Sequence, residues 1–190
     1  MNNHMADNYF DQILSQRGGQ ERSFRWYQQK IREFGIPTQK RLIETGDANF
    51  DPQIGNMNFF VYDPKHKKTL PYYDRFPLII PIEEKSQYFL GLNFHYISIP
   101  YRISLIEKLL RFTRTAQNEN RIIMEWRDIK NFREVRPVIK KYLKRHVRSP
   151  FIKITEEEYR LALMLPVQDF KKATRNKVYY DSRRMINGSI

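Results

Sequence analysis

The chain contains no cysteine and only 7 glycines in 190 residues. Without cysteine there is no disulfide framework, no thiolate zinc site and no cysteine nucleophile. Scarce glycine, set beside 13 Phe, 12 Tyr and 2 Trp, excludes a low-complexity tail and describes a chain that buries a core. The apolar runs, such as "FPLIIPI", fall far short of the roughly 20 residues a membrane helix needs, so no membrane partner is expected. No phosphate-binding glycine loop, G-x-S-x-G or H-E-x-x-H occurs, and His4, His66, His95 and His146 show no ligand spacing. The start, "MNNHMADNYFDQ", is polar and acidic, unlike a secretion signal. The expectation is a soluble protein made in a cytoplasm, non-enzymatic, with no cofactor and no metal.

Charge is the abundant feature, and it is uneven. The net charge is +13. Residues 1–60 balance seven basic against seven acidic side chains, while 102–148 hold fourteen against five, a net of +9. Charge needed only for solubility has no reason to concentrate in this way. A concentrated patch points to nucleic acid or another polyanion.

The first 50 residues read as a helical N-terminal arm and linker. "ERSFRWYQQKIREFGIP" sets Phe24, Tyr27, Ile31 and Phe34 at helical spacing before Gly35 and Pro37, and "ETGDANFDPQIGN" is turn-rich. Residues 51–190 read as one core domain. "MNFFVYD", "RFPLIIPIEE" and "YFLGLNFHYISI" are β-branched and aromatic runs that predict a small bent antiparallel sheet, with closure into an SH3-like barrel as an option. "YRISLIEKLLRFTRTA" predicts an amphipathic helix over 101–114 through Ile103, Ile106, Leu109 and Leu110. "RIIMEWRDIKNF" fits strand or helix equally. "RPVIKKYLKRHV" predicts a second helix over 137–148, with Pro137 in its first turn. "PFIKIT" and "YRLALMLP" read as strands, and "VQDFKKATRNKVYYDSRRMI" as one or two helices. The fold class is therefore α+β.

On the expected 137–148 helix, Lys140, Lys141, Lys144, Arg145 and Arg148 share one face, opposite Ile139, Tyr142, Leu143 and Val147. No acid lies four residues away to offset the stripe, and Arg136 extends it. Such a row suits phosphate neutralisation, which gives strong, salt-dependent affinity without reading sequence. The competing reading is a solvated helix face. A second cluster, Lys171, Lys172, Arg175 and Lys177 with Arg183 and Arg184 beyond, either widens this patch or caps helix C-termini. The candidate DNA-binding residues are thus Arg136, Lys140, Lys141, Lys144, Arg145, Arg148, Lys171, Lys172, Arg183 and Arg184.

Two further patterns have simpler readings. Asp74, Glu83 and Lys85 follow the order of the carboxylates and lysine of many Mg²⁺-dependent nucleases, but Glu83 and Lys85 read more simply as a polar turn. Trp26 and Trp126 have apolar neighbours and read as core, as does His95 within "LNFHYI".

Three stretches, "SFRWYQQKIRE", "FFVYDPKHKKTLPYYDRFPLIIPI…FLGLNFHYI" and "HVRSPFIKI…ALMLPVQDFKKA…VYYDSRRMI", together resemble small structural or DNA-associated proteins of T4-type tailed phages. The likeness runs from about Ser23 to Ile186 and is nearest to the DNA end protector proteins. It carries no binding residues with it. It implies a late virion protein, packaged in few copies, that binds the ends of the linear double-stranded genome and blocks host exonucleases. An end binder also needs a feature that meets the terminal base pair, for which Tyr142, Tyr179 and Tyr180 are candidates. The alternative is a neck, tail or baseplate structural protein whose partners are other virion proteins of the neck, portal or tail region.

Overall fold

A computed structural model of the chain describes residues 47–113, 122, 124–154, 158–165 and 167–188, with Gln16 and Gln29 as single helical positions. The remainder of the expected N-terminal arm, Trp26 included, lies outside the described residues. The end of the expected linker joins the core: Asp47–Asn49 form strand β1.

Six strands build one antiparallel sheet in the order β1-β7-β2-β4-β5-β6. Their ranges are β1, β2 (Asn58–Phe59), β4 (Leu78–Glu84), β5 (Tyr88–Asn93), β6 (Ile139–Leu143) and β7 (Phe151–Lys153). A separate ribbon pairs β3 (Tyr73–Asp74) with β8 (Phe170–Lys171). The helices are α1 (Ile99–Thr113), α2 (Trp126–Ile129), α3 (Tyr159–Met164) and α4 (Arg175–Asn187). The α+β class stands. The sheet is open, with β1 and β6 at its edges, so the barrel option does not.

The centre of the sheet is the β4–β5 hairpin, where Ile80 faces Leu92 and Pro81 faces Gly91 across the ladder. A proline contributes no ladder N–H, and the register slips between Pro81 and Glu83 as a bulge that bends the strand. Gly91 leaves room for its neighbour: a Cβ there would meet the Ile79 Cδ1 methyl at 3.0 Å, a tight approach from which that side chain would have to shift. Alternation divides the hairpin between two cores. Leu78, Ile80, Ile82 and Leu92 pack with Ile103, Ile106 and Leu109 of α1, Leu163 of α3 and Val178 of α4. Ile79 and Phe89 turn the other way and join Phe60, Tyr62, Tyr142 and Phe151 in a smaller aromatic core. There Phe60 lies 4.8 Å from Phe151 and 5.3 Å from Tyr142, ring centre to ring centre.

Buried Arg102, on α1, ties the helical layer together. Its Nε donates to the Ile97 carbonyl at 2.9 Å, Nη1 to the Leu163 carbonyl at 2.9 Å and Nη2 to the Tyr179 hydroxyl at 2.7 Å. The fork geometry of a guanidinium lets one side chain reach three segments at once.

Two expected elements differ. The 137–148 helix is instead β6 followed by a 3-10 turn at Lys144–His146. Its residues complete the sheet edge by pairing with β5, from Tyr88 opposite Leu143 to Leu92 opposite Ile139, and that ladder outweighs the helical spacing of its apolar residues. "YRLALM" is helix α3 and not a strand; Leu, Ala and Met are strong helix formers, and none of its residues is β-branched. The ambiguous "RIIMEWRDIKNF" contains the single-turn helix α2, opened by a reciprocal cap between Glu125 and Asp128.

Candidate nucleic-acid interface

Because 139–143 is a strand, Lys140 and Lys141 project to opposite faces and form no common stripe. Each lies over an aromatic ring. The Lys140 ammonium sits 3.8 Å from the centre of the Tyr96 ring, and that of Lys141 sits 3.9 Å from Tyr88. Both are cation–π contacts in which the lysine stem also covers apolar surface. Lys144 is ion-paired with Glu84. Arg145 and Arg148 are exposed, and Arg148 Nη1 donates to the Arg145 carbonyl at 3.1 Å.

The second cluster is also divided. Lys171 pairs with Asp169 at 2.8 Å. Lys172, at a left-handed φ of 70°, turns its ammonium into the loop after β2 and donates to the carbonyls of Lys68 (2.9 Å) and Leu70 (2.5 Å). Arg136, Arg183 and Arg184 are exposed on a turn and on α4. Only Met185 from that helix reaches the cleft described next, so these three are not part of its wall.

Between β6 and the 64–73 loop lies a cleft of about 570 Å³. Tyr62, Tyr72, Tyr73, Tyr96 and Tyr142 line it, with Lys65, His66, Lys140 and Lys141. The loop "PKHKKTLP" was not among the expected contacts, although three lysines and a histidine in four residues near a tyrosine pair were a readable signal. The fold brings this loop to the 144–148 segment: Asp63 N donates to the His146 carbonyl at 3.1 Å, and Arg148 N donates to the Val61 carbonyl at 2.8 Å. Lys65, Lys68, Arg145 and Arg148, far apart in sequence, are therefore exposed side chains on adjoining segments, and Lys65 also lines the cleft.

Burial shapes the chemistry of the cleft. It raises the Tyr62, Tyr96 and Tyr142 pKa values and lifts Tyr72 to about 12, helped there by Asp181, so these phenols stay neutral. The ammonium of half-buried Lys140 is pushed down to about 8 by loss of solvent, with no carboxylate among the described residues acting on it. Behind the wall, Asp74 accepts hydrogen bonds from His95 Nδ1 (2.7 Å), Asn93 Nδ2 (3.2 Å) and the Phe76 (3.1 Å) and Asp169 (3.2 Å) amides. Burial alone would raise the Asp74 pKa, but the His95 and amide contacts hold it below the ordinary carboxylate value. Burial lowers the His95 pKa, so a neutral imidazole donates through Nδ1.

Asp74 is thus a fully engaged structural carboxylate. Its partner Asn93 pairs with Ile79, and Glu83 lies four residues further along β4, roughly 13 Å at strand rise. Glu83 pairs with Lys85 beside Arg127 in a different depression. The nuclease arrangement is not assembled, and among the described residues no cluster of three or more metal-ligating side chains occurs. His95 is fully buried, as expected. Trp126, expected in the core, is 37% exposed. Of the proposed end-contacting tyrosines, Tyr142 and Tyr179 are buried and Tyr180 is 58% exposed.

No helix among the described residues is long and apolar enough to cross a membrane. No curated protein and no solved structure matches the chain. A family profile does, over residues 7–187, nearly the whole sequence and including each of the three stretches that carry the resemblance. The chain belongs to the Phage T4 terminal DNA protecting protein family.

Proposed function

We propose that this protein is a non-catalytic virion component that binds the ends of linear double-stranded DNA and shields them from exonucleases. The observation that carries the reading is the tyrosine-lined cleft beside exposed basic side chains from two adjoining segments. Such cations neutralise phosphates without reading sequence, and aromatic rings accept any base on their faces. The contact set departs from a single basic stripe: Lys65, Lys68, Arg145 and Arg148 take backbone phosphates, while Lys172 acts by holding the loop. Arg136, Lys141, Arg183 and Arg184 add longer-range attraction, and paired Lys144 and Lys171 contribute less. A phage particle also implies contacts with neighbouring virion proteins of the neck, portal or tail, for which residues 1–46 are the candidate segment.

Fluorescence anisotropy of a short blunt duplex, competed by closed circular DNA over a salt series, tests this. Expected are tight binding that the circle competes poorly, and a salt slope that falls by about 0.9 for each phosphate contact removed in a K65A/K68A/R145A variant. Equal competition by the circle would overturn end binding and leave the virion-protein partner as the function to pursue.

A further inference from the structure

Lys140 is a cation in need of an anion. Its ammonium is half-buried and rests on the Tyr96 ring, and Asp74, the one carboxylate among the described residues that line the same cleft, is committed to four other donors. Desolvating a charge without a counter-charge is costly, and sites that accept this cost are commonly sites where a ligand supplies the missing charge. The surrounding walls are aromatic and rigid. Tyr72 lies 6.0 Å from Tyr96, and Tyr142, 4.9 Å from Tyr62, is stacked on Phe89 at 5.2 Å. Tyr72 and Tyr73 retain accessible surface within the cleft. A pre-formed pocket with a half-buried ammonium that no carboxylate among the described residues pairs, and with aromatic walls, suits a ligand with an anionic group on a flat apolar body. A nucleotide is such a ligand.

We propose that the cleft is a pocket for the terminal nucleotide of a DNA duplex, taking its 5′-phosphate on Lys140 and its base against Tyr72 and Tyr73. This rests on the end-binding reading above and gives it a cause. A cleft of about 570 Å³ admits one nucleotide and excludes a duplex segment. An internal base enters only by flipping out of two stacking contacts, whereas a terminal base gives up one. End selectivity follows from the shape of the pocket, with the exposed lysines and arginines beside it supplying affinity for any duplex.

The test uses the full chain and three DNAs: a blunt duplex with 5′-phosphates, the same duplex with 5′-hydroxyls, and closed circular competitor. The phosphorylated duplex is expected to bind about tenfold more tightly than the hydroxyl form, the scale of one hydrogen bond to a charged group. K140M is expected to erase that difference while leaving affinity for the circle unchanged. A 2-aminopurine at the 5′ position is expected to change fluorescence on binding to the wild-type protein, whereas the same probe ten base pairs inward stays constant. That arm needs no variant to fold. End-selective binding that ignores the 5′-phosphate and leaves terminal 2-aminopurine unaltered would overturn the pocket and keep end binding. Equal competition by the circle would overturn both.

Discussion

Nδ1 of His95 and Oδ2 of Asp74 lie 2.7 Å apart, and both side chains are sealed from solvent. The pair pins the 3-10 turn after β5 to the β3–β8 ribbon, and through Asn93 it reaches the hydroxyl of Tyr142 at 3.0 Å. The floor of the cleft therefore hangs on one buried carboxylate.

The sign of its pH dependence follows from two shifts in the same direction. The folded pKa of Asp74 lies below its unfolded value near 3.9, so its stabilisation is present above that pH and is lost as pH falls through the folded pKa. The folded pKa of His95 also lies below its unfolded value near 6.5, so the unfolded chain takes up that proton first. Stability is expected to decline with acid from about pH 6.5 downward. Asp74→Asn is expected to lose roughly 1.5–3 kcal/mol at neutral pH, the scale of losing hydrogen bonds to a charged group and leaving a buried donor unpaired. Urea unfolding of both proteins at pH 7 and pH 5 measures this, and wild-type stability equal at the two pH values would contradict it.

Arg102 gives a second stability prediction. Arg102→Lys keeps the charge but cannot reach the carbonyls of Ile97 and Leu163 and the hydroxyl of Tyr179 together. The expected cost is roughly 3 kcal/mol, from at least one acceptor left buried without a donor. A fall in urea midpoint with an unchanged slope is the expected signature.

The physical reasons for what the sequence revealed, and what it hid, lie in particular residues. The β4–β5 hairpin was readable because β-branched and aromatic runs flank a polar turn, and α1 because Ile103, Ile106 and Leu109 all enter the core. The edge strand β6 was not. Its two adjacent lysines mask the alternation of a strand, since Lys140 tucks its stem against Tyr96 while Lys141, over Tyr88, stays exposed. Ile139, Tyr142, Leu143 and Val147 then mimic helical spacing, although Tyr142 enters the small aromatic core and Ile139 packs on the large one. Nor does composition disclose that Lys172 is held by the carbonyls of Lys68 and Leu70, because those partners meet only through the fold. The cleft draws residues from four separate stretches, so only its tyrosine-rich loop was visible locally.

Lys172 carries a prediction of a different kind. It adopts a left-handed φ that costs a non-glycine residue about 1 kcal/mol or more, and its ammonium holds the loop that carries Lys65 and Lys68. Lys172→Met removes the bonds and keeps the strain. Amide hydrogen exchange in residues 65–70 is expected to speed up, and duplex affinity to drop several-fold. If Lys172 instead met phosphate directly, affinity would drop with loop exchange unchanged, so the two measurements together separate the roles.

The last prediction concerns pH and binding at Lys140. Burial holds its pKa at about 8, against an ordinary value near 10.4, so the unliganded protein loses this charge as pH rises through about 8. A terminal phosphate takes its second charge near pH 6. The advantage of a 5′-phosphorylated end over a 5′-hydroxyl end should therefore rise through about pH 6 and hold near neutrality. Above pH 8 it should decline, with the upper limb displaced upward to the extent that the bound phosphate stabilises the ammonium. Lys65, His66 and Lys141 line the same cleft and Asp74 lies at its wall, so the diagnostic quantity is the ratio of the two affinities in wild type against K140M. The variant's ratio should stay near one throughout. Folding responds with the opposite sense: the unfolded chain keeps the Lys140 proton up to about pH 10.4, so this residue's penalty on stability shrinks as pH rises from 8 to 10. A wild-type binding advantage that falls over the range where the fold is being relieved of that penalty places the effect on the ammonium and not on unfolding.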